Sequence, residues 1–275
     1  HSLSPAMQGR AFAECGINAV YGAFRVAAEE LGDAVRGIRA MGFRGVNVTI
    51  PHKVNVMRFL DEIDETARSA GAVNTIVNRD GRLIGYNTDG IGYVRSLKEE
   101  TGAVIPGARI LIVGAGGAAR GVGHALAKEK PAKIFVANRT AEKGNELAGE
   151  LCASADAESI GMDKICRVIG KVDIIINTTP VGMSPRTDAV PVEPKGIAPG
   201  TIVSDLIYNP LKTRFLREAE AAGARVHGGL GMFIYQGAYA FEYWTVKPAP
   251  VEVMRRVVLE RLTATGAEAK AETEA

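Results

Sequence analysis

The sequence has 275 residues, 47% of them hydrophobic and 23% charged, with a formal net charge of +2; that length predicts two domains with sizeable cores. Near-neutral charge without a basic run argues against a nucleic-acid partner, and no apolar run reaches the length of a membrane span. Three cysteines, Cys15, Cys152 and Cys166, lack redox or metal spacing and point to a reducing cytoplasm, while four histidines, His1, His52, His124 and His227, form no zinc pattern, so no metal is expected.

The sequence opens at His1 without Met, and its first residues do not read as a signal peptide. Ser2 and Ser4 precede Pro5, a residue suited to start a helix, and residues 6–15 read as helical. Two hydroxyls before a proline read, by themselves, as a turn and cap. Residues 19–26 read as a strand, and residues 33–41 as a helix closed by Gly42. Residues 45–50, GVNVTI, alternate like a strand and meet Pro51. Beyond it Val54, Met57, Leu60, Ile63 and Ala67 recur at helical spacing, which puts Lys53 in a helix's first turn. The positive end of the helix dipole disfavours a cation there. Lys53 is then either a surface lysine or one suited to proton transfer, outside the carboxyl end of a strand.

Asn74 to Val77 and Leu83 to Tyr86 read as a hairpin around Arg79-Asp80-Gly81. Asn74, Asn87, Thr88 and Asp89 fall in loop-prone positions, and Asp89 fits the N-cap of a helix over residues 90–98. Residues 101–107, with Pro106, lead into the next segment.

Residues 108–140, ARILIVGAGGAARGVGHALAKEKPAKIFVANRT, organise the chain. An apolar strand ends at Gly114, and Gly114, Gly116 and Ala119 make G-x-G-x-x-A. The first glycine permits the tight turn, the second lets backbone approach a pyrophosphate, and the alanine keeps helix and strand close. The following helix would point free N–H groups at phosphates. Strand, glycines, helix and second strand occur in the order a dinucleotide-binding βαβ unit requires. The second strand ends in Asn138-Arg139-Thr140, where an NAD site carries an acid for the ribose hydroxyl. Arg139 suits a 2′-phosphate, which predicts NADP.

Residues 172–177, VDIIIN, read as a buried strand ending in the polar turn TTPVGM. Residues 202–207 form another strand, followed by Tyr208-Asn209-Pro210. A helix over 214–222 and a short strand over 224–226 lead to Gly228 and Gly229, a return hinge. Helices over 230–244 and 251–264 follow, the second after Pro250, and the charged tail 265–275 reads as frayed. Thr140 is the expected N-cap of a helix over 141–152.

This ordered set resembles the shikimate dehydrogenase family over nearly the whole chain. The motifs are SLSP (2–5), NVTIPHK (47–53), GAVNT (71–75), NTDG (87–90), GAGGAAR (114–120), NRT (138–140), NTTPVGM (177–183), DLIYNP (205–210) and GLGMFIYQGAYAFEYW (229–244). The resemblance implies an α/β fold: a discontinuous α/β substrate domain, residues 1–100 and 230–275, with an inserted Rossmann-type NADP-binding domain, residues 101–229. It implies NADPH-linked, reversible reduction of 3-dehydroshikimate to shikimate in aromatic amino-acid biosynthesis, by a cytoplasmic monomer or homodimer. Lys53 and Asp89 are implied as the catalytic pair, Asp89 either sharing the proton or only orienting the amine. Ser2 and Ser4 would hold the substrate carboxylate, and Thr49, Asn74, Asp89 and Gln236 the ring hydroxyls, with Tyr208 nearby. Gly114, Ala115, Gly116, Gly117, Ala118 and Ala119 would form the cofactor turn, and Asn138, Arg139 and Thr140 the adenosine end. Thr178, Gly229 and Met232 would lie toward the nicotinamide.

Alternatives are a quinate-accepting or aminoshikimate-type relative, and a regulator that binds the ligand without turnover. Retention of Lys53 and Asp89 speaks for an enzyme. The pattern departs from the family at Gln8-Gly9, where members usually carry His-Asn. Members also have a β-strand ahead of the serine motif, at which this sequence begins.

Overall fold

A computed structural model describes residues 2–273 of the chain. Helix α1 (Ser4–Glu14) buries Met7, Gln8, Ala11 and Phe12, and α2 (Leu31–Ala40) buries Leu31, Val35 and Ile38, an apolar stripe at helical spacing. Strands β1 (Gly45–Asn47), β2 (Glu62–Ile63), β3 (Thr75–Arg79) and β4 (Arg82–Tyr86) form a sheet in the order β1-β3-β4-β2. The predicted hairpin is β3–β4, and Asp80 and Gly81 both take positive φ in its turn. Successive residues of β3 face opposite ways. Ile76 packs with Val35, Ile38 and Val56 on one face, while Val77 meets Ala240 and Trp244 on the other.

After α3 (Glu65–Ala70) and α4 (Asp89–Thr101) the second sheet begins. Strand β5 (Arg109–Val113) is buried at every position after Arg109, as a strand covered on both faces must be. Helix α5 (Gly117–Lys128), β6 (Lys133–Ala137), α6 (Ala141–Leu151), β7 (Ala157–Ile160), β8 (Ile174–Asn177), β9 (Ile202–Asp205), α7 (Arg214–Ala221) and β10 (Arg225–His227) complete it. All six strands are parallel, in the order β10-β9-β8-β5-β6-β7. This is the Rossmann-type doubly wound order, whose direction reverses between β5 and β8 and opens a ligand crevice at the carboxyl ends there. Tyr93, Val94 and Leu97 of α4 join α5 and α6 on one face, and Phe215, Leu216 and Ala219 of α7 cover the other. Finally α8 (Leu230–Thr245) and α9 (Val251–Thr273) return to pack on α1 through Phe241, Met254 and Val258. No helix of the described residues is long and apolar enough to cross a membrane.

Four elements depart from the sequence reading. No α-helix spans 51–67: a turn, a short 3-10 helix (Asn55–Phe59), β2 and α3 take its place. The helical spacing of apolar residues is overridden by pairing with β4. Leu60 turns extended, Asp61 N donates to Leu83 O at 3.0 Å, and Asp64 caps α3 through Thr66 N. Lys53 therefore sits in a turn, and the helix-dipole argument for it falls. Residues 19–26 form no strand, because no described residue offers them a ladder and they are held by side chains such as Tyr21. Strand β7, half-buried and without an apolar run, was not expected. Helix α9 continues to Thr273 instead of fraying from 265, and Glu274 and Ala275 lie outside the described residues.

Candidate active site

The turn after β1 carries Lys53, and α4 carries Asp89 as its first residue. The Lys53 ammonium donates to Asp89 Oδ2 at 2.6 Å, and the two side chains stay 29% and 20% exposed. The other oxygen, Oδ1, accepts from Asn74 Nδ2 at 2.9 Å, and Asp89 N donates to Asn87 Oδ1 at 3.0 Å. Thr88, not Asp89, occupies the N-cap position. A carboxylate at the start of α4 meets the favourable end of the helix dipole. Asn74 is buried; its Oδ1 accepts from Thr88 N at 2.8 Å and its second amide hydrogen goes to Thr88 Oγ1 at 3.0 Å. Lys53 O accepts from Val73 N at 2.8 Å, which ties the lysine's backbone to the approach of β3. Both partners are thus held by buried backbone and amide groups, with their charged ends part-exposed.

The serine motif lies beside the same network. Ser4 N donates to Ser2 Oγ at 3.2 Å, and the Ser4 side chain lies near the Tyr21 hydroxyl, whose pKa it pulls down against burial. Burial pushes the Tyr21 phenol up to about 12, so it stays a donor, and it donates to Asn47 Oδ1 at 2.9 Å. Asn47 Nδ2 donates in turn to Asn74 O at 3.1 Å. Thr49 is exposed just beyond β1. On α8, Gln236 donates to Phe233 O at 2.9 Å, and the Phe233 ring stacks on Tyr208 with centroids 5.2 Å apart.

The glycine turn lies at the reversal point. Gly114 has φ +112°, and a Cβ there would stand 2.4 Å from Thr178 Oγ1, so only glycine fits. Thr178 is itself pinned by Oγ1 donating to Val113 O at 2.7 Å. Gly116, Gly117 and Ala118 are exposed, Ala115 is half-buried, and Ala119 is buried on the inner face of α5. No side chain caps the first turn of α5, which leaves its N–H groups free at the crevice. Asn138 Nδ2 donates to Thr140 O at 2.8 Å, Arg139 and Thr140 are exposed beyond β6, and Thr140 N-caps α6 without a side-chain bond. Gly229 lies against the loop after β9, where a Cβ would stand 2.0 Å from Leu206 O, and Met232 packs half-buried nearby. These residues fit a dinucleotide: open glycines, uncapped helix N–H groups and a free guanidinium at the far end.

Sequence reading missed a buried hub beneath this crevice. Asp205 Oδ1 accepts from Asn177 Nδ2 and from Ile207 N, both at 3.1 Å, and Oδ2 accepts from Thr213 Oγ1 at 2.7 Å. Asn177 Oδ1 accepts from Thr179 N at 3.0 Å, so the hub fixes the loops after β8 and β9 together. Burial pushes Asp205 up to about 6, against the pull of its three donors. The available signal was a polar residue ending each buried strand.

A glycine fingerprint at the reversal of a doubly wound sheet, in a chain that also holds a Lys–Asp pair, defines a nicotinamide-dependent dehydrogenase. Family models match the chain in three stretches: the shikimate dehydrogenase substrate binding domain over residues 1–76, shikimate / quinate 5-dehydrogenase over 96–184, and the shikimate 5'-dehydrogenase C-terminal domain over 229–259. The shikimate dehydrogenase (NADP(+)) of Geobacillus kaustophilus is 52% identical over 262 residues, 95% of each chain. Among solved structures, a shikimate dehydrogenase in complex with NADP+ aligns with TM-score 0.88 and 46% identity, covering 95% of this chain and 92% of that one. The Thermus thermophilus shikimate 5-dehydrogenase in complex with NADP(H) and shikimate aligns with TM-score 0.86 and 35% identity, covering 95% of each. The chain belongs to the shikimate dehydrogenase family.

Proposed function

We propose that the chain catalyses the reversible, NADPH-dependent reduction of 3-dehydroshikimate to shikimate in aromatic amino-acid biosynthesis. The observation that carries this reading is the 2.6 Å contact between Lys53 and an Asp89 already fixed by Asn74. In this reading residues 1–100 and 230–275 form the substrate domain and 101–229 the NADP-binding domain, within a cytoplasmic protein.

When bound, NADPH supplies the hydride. Reduction of a ketone leaves its oxygen in need of a proton, and Lys53 Nζ has three N–H donors, of which Asp89 engages one. The others are available to the substrate oxygen, and the same amine takes the proton back in the oxidative direction. Asp89 orients the ammonium. Ser2 and Ser4 anchor the substrate carboxylate, and Thr49, Asp89 and Gln236 address ring hydroxyls, with Tyr208 closing the side. Asn74, expected among them, is buried with both amide hydrogens committed and serves the ring through Asp89. Gly114, Gly116 and Gly117 with the first turn of α5 cradle the pyrophosphate, and Arg139 pairs with the 2′-phosphate. Thr178, Gly229 and Met232 border the nicotinamide end.

Steady-state assays of the purified protein with NADP or NAD against shikimate and quinate separately test the proposal. NADP with shikimate should give the highest kcat/KM. A preference for quinate would reassign the substrate, and calorimetric binding of shikimate with no turnover would make the protein a ligand-binding regulator.

A further inference from the structure

One buried histidine lies outside the catalytic arrangement and yet connects to it. His227 ends β10 and is 2% exposed. Its Nδ1 lies 2.9 Å from Ser204 Oγ on β9, and its Nε2 lies 2.7 Å from Ser96 Oγ on α4. Tyr93, one turn before Ser96 on α4, donates its hydroxyl to Ser204 Oγ at 3.0 Å. Hydrogen accounting gives this chain a direction. Ser204 accepts from Tyr93, so its own hydrogen goes to His227 Nδ1, and His227 Nε2–H goes to Ser96. The Glu100 carboxylate, 3.6 Å from Nε2 and paired with Arg255 at 2.6 Å, favours the proton on that nitrogen. In the reverse direction the Ser204 hydrogen would have to go to the Tyr93 oxygen, which takes the Tyr93 hydrogen off its acceptor in this chain.

Helix α4 begins at Asp89, and Ser204 precedes Asp205, the hub of the cofactor-side loops. Elsewhere α4 meets its neighbours through apolar and glycine contacts and through part-exposed pairs near its C-terminal end, Lys98 with Glu129, Glu99 with Tyr235 and Glu100 with Arg255, whose long side chains and open solvent tolerate small sliding. Buried directional bonds do not, because a shift leaves polar groups unsatisfied in a low-dielectric interior.

We propose that neutral His227 is a positioning residue: through Tyr93–Ser204–His227–Ser96 it locks α4 onto the cofactor sheet and sets where Asp89 holds Lys53 relative to the nicotinamide. The proposal rests on the reading of Lys53 and Asp89 as the catalytic pair. Burial, with a smaller contribution from Arg255, pushes His227 down to about 4, which keeps the required neutral form at physiological pH. A second proton would oppose a hydrogen on Nδ1 to that of Ser204.

The test combines nitrogen-15 NMR of the imidazoles with the kinetics of His227→Leu, His227→Gln and Ser96→Ala. At neutral pH the spectrum should show His227 as the Nε2–H tautomer. His227→Leu should lower kcat roughly ten- to a hundredfold, the scale of a small misalignment, with the Kd for NADP unchanged because the glycine cradle is untouched. His227→Gln, which restores a donor to Ser96, should recover part of kcat. Ser96→Ala cuts only the last link and carries the same test if His227→Leu does not fold. A purely structural role predicts a lowered Tm with kcat retained, and that result, or an Nδ1–H tautomer, overturns the proposal. Lys53→Ala run alongside separates the two failures. If it abolishes turnover while His227→Leu does not, only the positioning role is lost; if it leaves kcat intact, the catalytic pair and the positioning role fall together.

Discussion

Asn177 and Asp205 meet across the buried ends of β8 and β9, the amide donating to the carboxylate at 3.1 Å where three neutral donors and no cation hold it. Asp205 is raised from 3.8 to about 6, so its contribution to stability is fully present below 3.8 and is lost as pH rises through about 6. His227 runs the other way. It is lowered from 6.5 to about 4, so its contribution is full above 6.5 and is lost as pH falls through about 4. Each is worth about 3 kcal/mol, and between the two folded values their slopes oppose. Thermal unfolding across this window should therefore separate two variants. His227→Leu should lose Tm as pH rises, and Asp205→Asn should gain it. Curves parallel to the parent protein's would refute the assignment.

Gly114 faces a different constraint. Gly114→Ala places a side chain at φ +112° and 2.4 Å from Thr178 Oγ1, so the turn or the β8 loop must shift. The expected cost is about 1–3 kcal/mol in stability, with loss of NADP binding. Calorimetry of unfolding together with a cofactor titration checks it. Intact affinity would show that the turn is not the cradle.

Arg139 should discriminate between cofactors. Only NADP offers the extra phosphate, and charge-assisted bonds of this type are worth roughly 1.5–3 kcal/mol, so Arg139→Ala should weaken NADP about ten- to a hundredfold and NAD little. Equal losses in KM for the two cofactors would remove Arg139 from the phosphate site.

These expectations differ in how much of their basis was legible in the sequence. The β5–α5–β6 unit was readable because its glycines, strand and helix impose their geometry locally. Lys53 and Asp89 were found, and paired, through the family motifs alone, since a contact that bridges separate elements leaves no local pattern. The segment 51–67 was misread because Leu60 to Ile63 find partners only when β4 is in place, and local spacing cannot see that. Residues 19–26 have strand composition without a ladder. His227 and Ser96 are 131 positions apart, and Asn177 and Asp205 are 28 apart, so each was visible only as a lone polar residue. Buried polar networks are legible in sequence as anomalies, and only the fold supplies the partner.

The central claim is that Lys53, held by Asp89, moves the proton. The most direct measurement is kcat and KM for Lys53→Ala, Asp89→Asn and the double variant with shikimate and NADP. Lys53→Ala should lower kcat roughly 10²–10⁴-fold with KM changed much less, the scale of general acid–base catalysis. Asp89→Asn should also slow turnover, and the double variant should fall short of the summed losses because the pair acts as one unit. A Lys53→Ala enzyme whose KM rises while kcat survives would make Lys53 a binding residue and contradict the account.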